Sequence, residues 1–255
     1  MKKKTSTIIT AVLAIVIVVC LAIIVRHIWV QKHNNKVYED LQTEVTKTEQ
    51  AEAAPETEQP TEQETTVDFN ALWDVNPDIY AWIEIPGTQV AYPVLQKEGD
   101  DDYYLNVTVE GNSGLPGSIY SQASRNSKDF TDFNTILYGH DMKDGSIFGT
   151  LKNYKEASYW EEHPEIYIYT PDQKLTYRIF AAVVYSDELI PYKYNLDTTD
   201  GRQKFLDSVY NNSDSRSMID NEIEVNTDSK LLTLSTCIGS ESNHRYLIVG
   251  VLENQ

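Results

Sequence analysis

Hydrophobic and polar positions divide the chain into three regimes. Residues 8–25 form an unbroken run of 18 uncharged, largely apolar positions, the length at which a helix spans a bilayer. Residues 39–68 offer almost nothing to bury. They hold ten acidic residues, one lysine (Lys47), Pro55 and Pro60 among Thr, Gln and Ala, a composition that predicts a solvated spacer. From about residue 67 to residue 255, short runs rich in Ile, Val, Tyr and Thr recur between turn residues, at 81–85, 117–120, 135–138, 165–169, 175–185, 230–235 and 246–252. Runs of that length and spacing predict a mainly β domain, an antiparallel barrel or sandwich. Asp68 ahead of residues 69–73 reads as a capped helical turn. Helical patches at 147–154, 158–162 and 200–210 interrupt the strands. The last lies in a long connection between the strand ending near Tyr185 and the one starting near Lys230, and connections of that length are uncommon in compact domains and often functional.

The expected organisation is therefore a cytoplasmic tip (1–7), a single transmembrane anchor (8–25), an acidic flexible linker (26–66) and a folded domain (67–255). A cleaved signal peptide is the alternative for the first segment. Val25, Arg26, His27, Ile28 and Trp29 follow the apolar run with no small-residue cleavage pattern, and Val19 before Cys20 fits a lipoprotein site poorly. Flanking charge is nearly balanced, with Lys2, Lys3 and Lys4 on one side and Arg26, Lys32 and Lys36 on the other. The N-terminal amine tips the balance toward a cytoplasmic N-terminus. The spacer has a root-mean-square reach of roughly 35 Å, enough to hold a domain near a membrane without fixing its pose.

Composition excludes several function classes. The chain of 255 residues carries a formal charge of −18, and an acidic surface repels phosphate backbones, so nucleic acid is not an expected partner. Two cysteines rule out a disulfide framework or a cysteine-rich zinc module. There is no glycine-rich phosphate loop. No two histidines have metal-ligand spacing. The acidic run at 98–102 lacks the alternation of a calcium loop and reads as a solvated turn.

The candidate chemistry lies at strand ends. Cys237 is the only cysteine outside the apolar run; it follows Leu231-Leu232-Thr233-Leu234-Ser235-Thr236 and precedes a polar loop. On local grounds it is either a small buried hydrophobe or a nucleophile that needs a base and a cation nearby. His140 follows the strand Thr135-Ile136-Leu137-Tyr138 and Gly139, where a turn histidine bonded to a carbonyl is equally open. Arg245 begins the final apolar strand, eight residues after Cys237. A short strand–loop–strand brings the two to adjacent strands at one rim, where a guanidinium could stabilise a thiolate or an oxyanion; a solvent-exposed strand-end arginine is the plain alternative.

Together these residues resemble one family. Thr233-Leu234-Ser235-Thr236-Cys237, the following Arg245 and the upstream Leu137-Tyr138-Gly139-His140 resemble the sortases, cysteine transpeptidases of Gram-positive cell surfaces. The stretch Asn76-Pro77-Asp78-Ile79-Tyr80-Ala81-Trp82-Ile83-Glu84-Ile85-Pro86-Gly87-Thr88 is also similar to that family, as are Tyr92-Pro93-Val94, Tyr103-Tyr104-Leu105-Asn106 and Gly145-Ser146-Ile147-Phe148-Gly149. The serine before Thr236, the helical N-terminal extension and the helix-bearing insertion before the cysteine strand are similar to class B. The inhibitory lid motif of the pilin-polymerising class is not found, and the loop after Cys237 lacks an acidic residue at the second position beyond it.

The resemblance implies a closed antiparallel sortase-type β-barrel. It implies Cys237 as nucleophile, His140 as proton donor and acceptor, and Arg245 as stabiliser of the substrate and oxyanion, with Ser235 and Thr236 shaping the substrate groove. The implied partners are secreted proteins with a C-terminal sorting motif, a peptidoglycan or lipid-linked precursor amine, and the cell membrane. No metal or organic cofactor is implied. Two rivals remain. An L,D-transpeptidase expects S-x-G-C-x-R around its cysteine, and Ser235-Thr236-Cys237-Ile238 lacks that glycine. A non-enzymatic surface binding module needs none of the three polar residues.

Overall fold

The computed structural model describes residues 2–48, 65–239 and 241–253. The chain divides into two compact units, 1–40 and 41–255. Helix α1 (Lys2–Val45) begins in the first and ends in the second. It continues past the apolar run because residues 26–45 contain neither glycine nor proline, and a helix once nucleated propagates until a breaker stops it. The first half of the expected linker is thus helical. Strand β1 (Thr46–Thr48) then pairs antiparallel with β2 (Thr65–Val67). The rest of the spacer, 49–64, lies outside the described residues. Helix α2 (Phe69–Val75) has the predicted cap: the Asp68 carboxylate accepts from the backbone N–H groups of Asn70 and Ala71, both at 3.1 Å.

The elements of the folded domain follow as β3 (Ile79–Glu84), β4 (Ala91–Leu95), β5 (Ile119–Tyr120), β6 (Asn134–Tyr138), α3 (Ala157–Glu162), β7 (Glu165–Tyr169), β8 (Lys174–Ser186), α4 (Ile190–Lys193), α5 (Thr199–Tyr210), β9 (Met218–Ile219), β10 (Leu231–Ile238) and β11 (Glu241–Leu252). Hydrogen bonding runs β11-β10-β6-β5-β4-β3-β7-β8, and β8 pairs back onto β11. Eight strands therefore close into a barrel, with the short β9 as an extra partner of β8. At this strand number the interior is just wide enough to be filled by side chains.

The expected barrel is present, and each of the seven predicted runs contains a strand. It is not antiparallel throughout: β4 with β5 and β6 with β10 pair in parallel. Parallel neighbours require long crossovers, and the chain supplies them in residues 96–118 and 139–230. Periodicity along a strand carries no information about its partner's direction. Strand β4 contains Tyr92-Pro93-Val94, which the family resemblance suggested as strand although it is not among the seven runs.

Alternation sorts the side chains of β10 onto two faces. Leu232 and Leu234, with Leu137 of β6 and Ile248 of β11, are completely buried and fill the barrel. Leu231 lies on the outer face in one cluster with Ile136, Phe180, Val183, Leu247 and Val249, and helix α5 closes that cluster with Phe205, Leu206 and Val209. Burying each of these three side chains contributes about 2 kcal/mol. The insertion thus covers the Leu231 end of the outer face, whereas Cys237, at the other end of the same strand, is exposed.

Candidate active site

Strand register brings the predicted residues together. Cys237 of β10 pairs directly with Arg245 of β11. On the other side β10 pairs in parallel with β6 up to Ser235 opposite Tyr138; the next bond of that edge runs from the Gly139 N–H to the Ser235 carbonyl at 3.2 Å. His140 lies two residues beyond Tyr138, the last residue of β6, as Cys237 lies two beyond Ser235. Neighbouring strands lie about 4.8 Å apart. Thiol and guanidinium thus stand side by side in one row on one face, and the segment that carries the imidazole leaves the sheet on the β6 side of the thiol. Arg245 is followed in the row by Tyr185 of β8, whose hydroxyl joins Tyr194 at 2.8 Å and Ser208 at 2.6 Å in the insertion.

His140 and Arg245 each have further hydrogen-bond partners. A His140 ring nitrogen, Nε2, lies 2.7 Å from the Leu105 carbonyl. A carbonyl only accepts, so Nε2 carries the hydrogen and Nδ1 is the nitrogen free for other chemistry. Leu105 reaches this place because Gly117 has no side chain: a Cβ there would overlap the Leu105 carbonyl, and its left-handed φ of +66 suits glycine. Gly139 is similarly required, since a Cβ would meet the Phe148 ring at 2.6 Å. One nitrogen of Arg245 donates to the carbonyls of Ser242 at 3.2 Å and His244 at 3.0 Å, which leaves the other donors of its fork available.

The two secondary candidates part company. Ser235 shares the Cys237 face and is mostly buried beside Tyr138 and Leu247. Thr236 points to the opposite face, is buried, and donates its hydroxyl to the Gly139 carbonyl at 2.8 Å. Strand alternation turns Thr236 away from the Cys237 face, and its hydroxyl binds the β10 edge to the residue before His140.

Several neighbours were not legible in the motif. Tyr120 of β5 pairs with Tyr138, their rings 5.5 Å apart. Burial pushes the Tyr120 hydroxyl well above its ordinary pKa, Asp102 adds to the rise, and the nearby Cys237 and Arg245 act in opposite directions. Asp102, within the acidic run, also accepts from Gln122 at 3.3 Å, and Asp101 accepts from the Ser124 N–H at 3.0 Å. These carboxylates fasten the run to the loop after β5.

An ionic cluster fastens the β10–β11 hairpin to the insertion. Arg216 donates to Asp214 at 2.9 and 2.8 Å and to Glu241 at 2.7 and 3.3 Å. Arg216 holds the Asp214 carboxyl down to about 2 and lowers that of Glu241 as well. A depressed carboxyl contributes stability that is complete above its ordinary pKa of 3.8 and disappears as pH falls through about 2. Arg216→Met is therefore expected to melt slightly below the unsubstituted chain at neutral pH, the groups being solvent-exposed. The gap should close as pH falls from about 4 to about 2. Calorimetry across that range checks it; a constant gap assigns the effect to packing instead.

Comparison with known proteins places this geometry. A family model described as the Sortase domain matches residues 83–253. Sortase B of Staphylococcus aureus (strain NCTC 8325 / PS 47) is 32% identical over 183 residues, 71% of this chain and 72% of that protein. Sortase B of Listeria monocytogenes is 29% identical over 206 residues, 81% and 78% of the two chains. Among solved structures, a Staphylococcus aureus sortase B–substrate complex aligns with a TM-score of 0.66 at 26% identity, covering 88% of this chain and 98% of that one. Sortase B from B. anthracis aligns with a TM-score of 0.67 at 28% identity and the same coverage.

Proposed function

The chain belongs to the sortase family of cysteine transpeptidases, among its class B-like members, and on that premise we propose that Cys237, His140 and Arg245 carry its reaction. The observation that supports this most is the direct pairing of Cys237 with Arg245 on the uncovered half of the outer face, with His140 on the segment that leaves the neighbouring strand β6. The substrate is a secreted protein with a C-terminal sorting signal, cut after threonine. The Cys237 thiolate attacks the threonine carbonyl carbon, and the carbonyl electrons move onto oxygen, where Arg245 donates to the developing oxyanion. The C–N bond breaks, and His140 protonates the departing amine through Nδ1, the nitrogen not engaged by Leu105. A thioester remains. An amino group of peptidoglycan or of its lipid-linked precursor attacks it, His140 takes the proton back, and the new amide leaves as the thiolate is restored.

We also propose that α1 anchors the enzyme in the cell membrane, with the N-terminus cytoplasmic and the catalytic domain outside. Among the described residues one helix is long and apolar enough to cross a bilayer, Leu13–Thr43, with a mean hydropathy of 2.7 in its most apolar window. Leu13, Ile15, Val16, Ile17, Val18, Val19, Leu21, Ile23, Ile24 and Val25 are all exposed, a density of apolar surface that favours lipid over water. A tether there would keep enzyme, secreted substrate and lipid-linked acceptor at one membrane face.

The test uses the full chain in detergent micelles with a panel of quenched sorting peptides of the N-P-x-T-[NG] type and an amine acceptor. Cleavage at a threonine, followed by acceptor transfer, is expected with one or more peptides and with none when Cys237→Ala replaces the enzyme. Cleavage that persists in that variant would sink the assignment of the nucleophile.

A further inference from the structure

Asp141 joins the segment that carries His140 to the turn behind Cys237. Its Oδ2 accepts from the backbone N–H of Gly239 at 3.3 Å. Its Oδ1 accepts from Lys152 Nζ at 3.0 Å. The carboxylate is enclosed, with the Asp141 side chain 12% exposed. Its own backbone is fixed as well: Asp141 forms an isolated antiparallel bridge with Ile147, and the Phe148 N–H donates to the His140 carbonyl at 3.1 Å.

The turn it reaches is the irregular one. Regular pairing of β10 with β11 ends at Cys237, where the register shifts, and Ile238 is already opposite Glu241. Gly239 follows with a φ of +36. The sulfur therefore stands on the last regular rung of the hairpin, and the parallel ladder to β6 ends two residues earlier still, at Ser235. The sheet does not itself hold His140 and Cys237 in register at the level where they must exchange a proton. A charge-assisted bond from the residue next to His140 to the residue two beyond Cys237 can do so.

We propose that Asp141 is a positioning residue for the transfer reaction: it sets the imidazole against the thiol by holding the turn after Cys237, and Lys152 aims its carboxylate. The proposal rests on the reading of Cys237 and His140 as the reacting pair. It assigns Asp141 no contact with substrate. A displacement of about 1 Å between reacting groups costs on the order of 100-fold in rate, so the consequence falls on kcat rather than on KM.

The experiment measures kcat and KM for peptide cleavage by the full chain, together with thermal unfolding and the rate of Cys237 alkylation. Asp141→Ala is expected to lower kcat by about 10- to 100-fold, with KM and the alkylation rate within about twofold of the parent. Asp141→Asn keeps an oxygen that can accept from Gly239, and is expected to recover kcat to within about threefold. Lys152→Met leaves the Gly239 bond and is expected to fall between the parent and Asp141→Ala. Parent-like kcat in Asp141→Ala overturns the proposal, as does a raised KM at unchanged kcat, or an asparagine variant no better than alanine. Should Asp141→Ala fail to fold, the asparagine and Lys152→Met variants decide by the same criteria. Cys237→Ala runs alongside: if it is inactive while Asp141→Ala turns over normally, only the positioning role fails; if it still cleaves, the reading beneath it fails.

Discussion

Cys237→Ala is expected to abolish both cleavage and transfer, lowering turnover by at least about four orders of magnitude. The size follows from the chemistry. Removing the atom that forms the acyl intermediate removes the pathway, and what remains is the rate that binding and oxyanion stabilisation give to water. No other thiol can substitute, since Cys20, the other cysteine, lies in the apolar part of α1. The fold is expected to survive, because Cys237 is exposed and losing a small exposed group changes stability little. The unsubstituted chain should react with a thiol-directed sulfonate faster at Cys237 than a model thiol does, as judged by peptide mass mapping that separates Cys237 from Cys20. Parent-like turnover in the alanine variant, or an inert Cys237, would remove it from the reaction.

The fold was legible where the signal is local. The strands around residues 165–169 and 175–185 announce themselves through runs of Ile, Val and Tyr, and Asp68 announces α2 because its carboxylate meets two free N–H groups. What depended on pairing was not legible. The parallel joins of β4 to β5 and β6 to β10 depend on which strand lies alongside after a long excursion. The extent of α1 was hidden for another reason: residues 26–45 look like the start of a polar linker by composition, and only the lack of a breaker lets the helix run on to Val45.

The site divides in the same way. Cys237, His140 and Arg245 could be picked out of the chain because each borders an apolar run, although Arg245 lies inside β11, which starts at Glu241, rather than at the start of the strand as expected. That Thr236 faces away from Cys237 was not legible, because membership in a motif says nothing of direction, whereas one step along a strand reverses the face. Tyr120, Leu105, Asp141 and Arg216 were missed because their parts depend on contacts far apart in sequence. Leu105 meets His140 across 35 residues, and Asp141 meets Gly239 across 98. Leu105 acts through a backbone carbonyl, which no residue type can signal.

His140→Ala is expected to lower peptide turnover by about 10²- to 10⁴-fold, the range for a general acid–base group, and His140→Gln gives the sharper test. The glutamine amide can donate to the Leu105 carbonyl as Nε2–H does, so the strut to residue 105 survives and unfolding temperature should stay near that of the parent. It has no counterpart of a titrating Nδ1, so turnover should remain about as low as in the alanine variant. The deficit should also depend on the leaving group. An amide nitrogen must be protonated as the C–N bond breaks, whereas a thiophenol or nitrophenol leaves unaided. With an activated ester of the same sorting sequence, the burst of acylation in both His140 variants should approach that of the parent, while amine transfer, which needs a base, stays slow. Arg245→Ala should behave differently: its donors serve the oxyanion, which forms whatever the leaving group, so its loss of about 10²- to 10³-fold should persist with the activated ester. If His140→Gln turns over within about tenfold of the parent, or if its deficit is the same for amide and ester, His140 holds Leu105 in place and moves no proton.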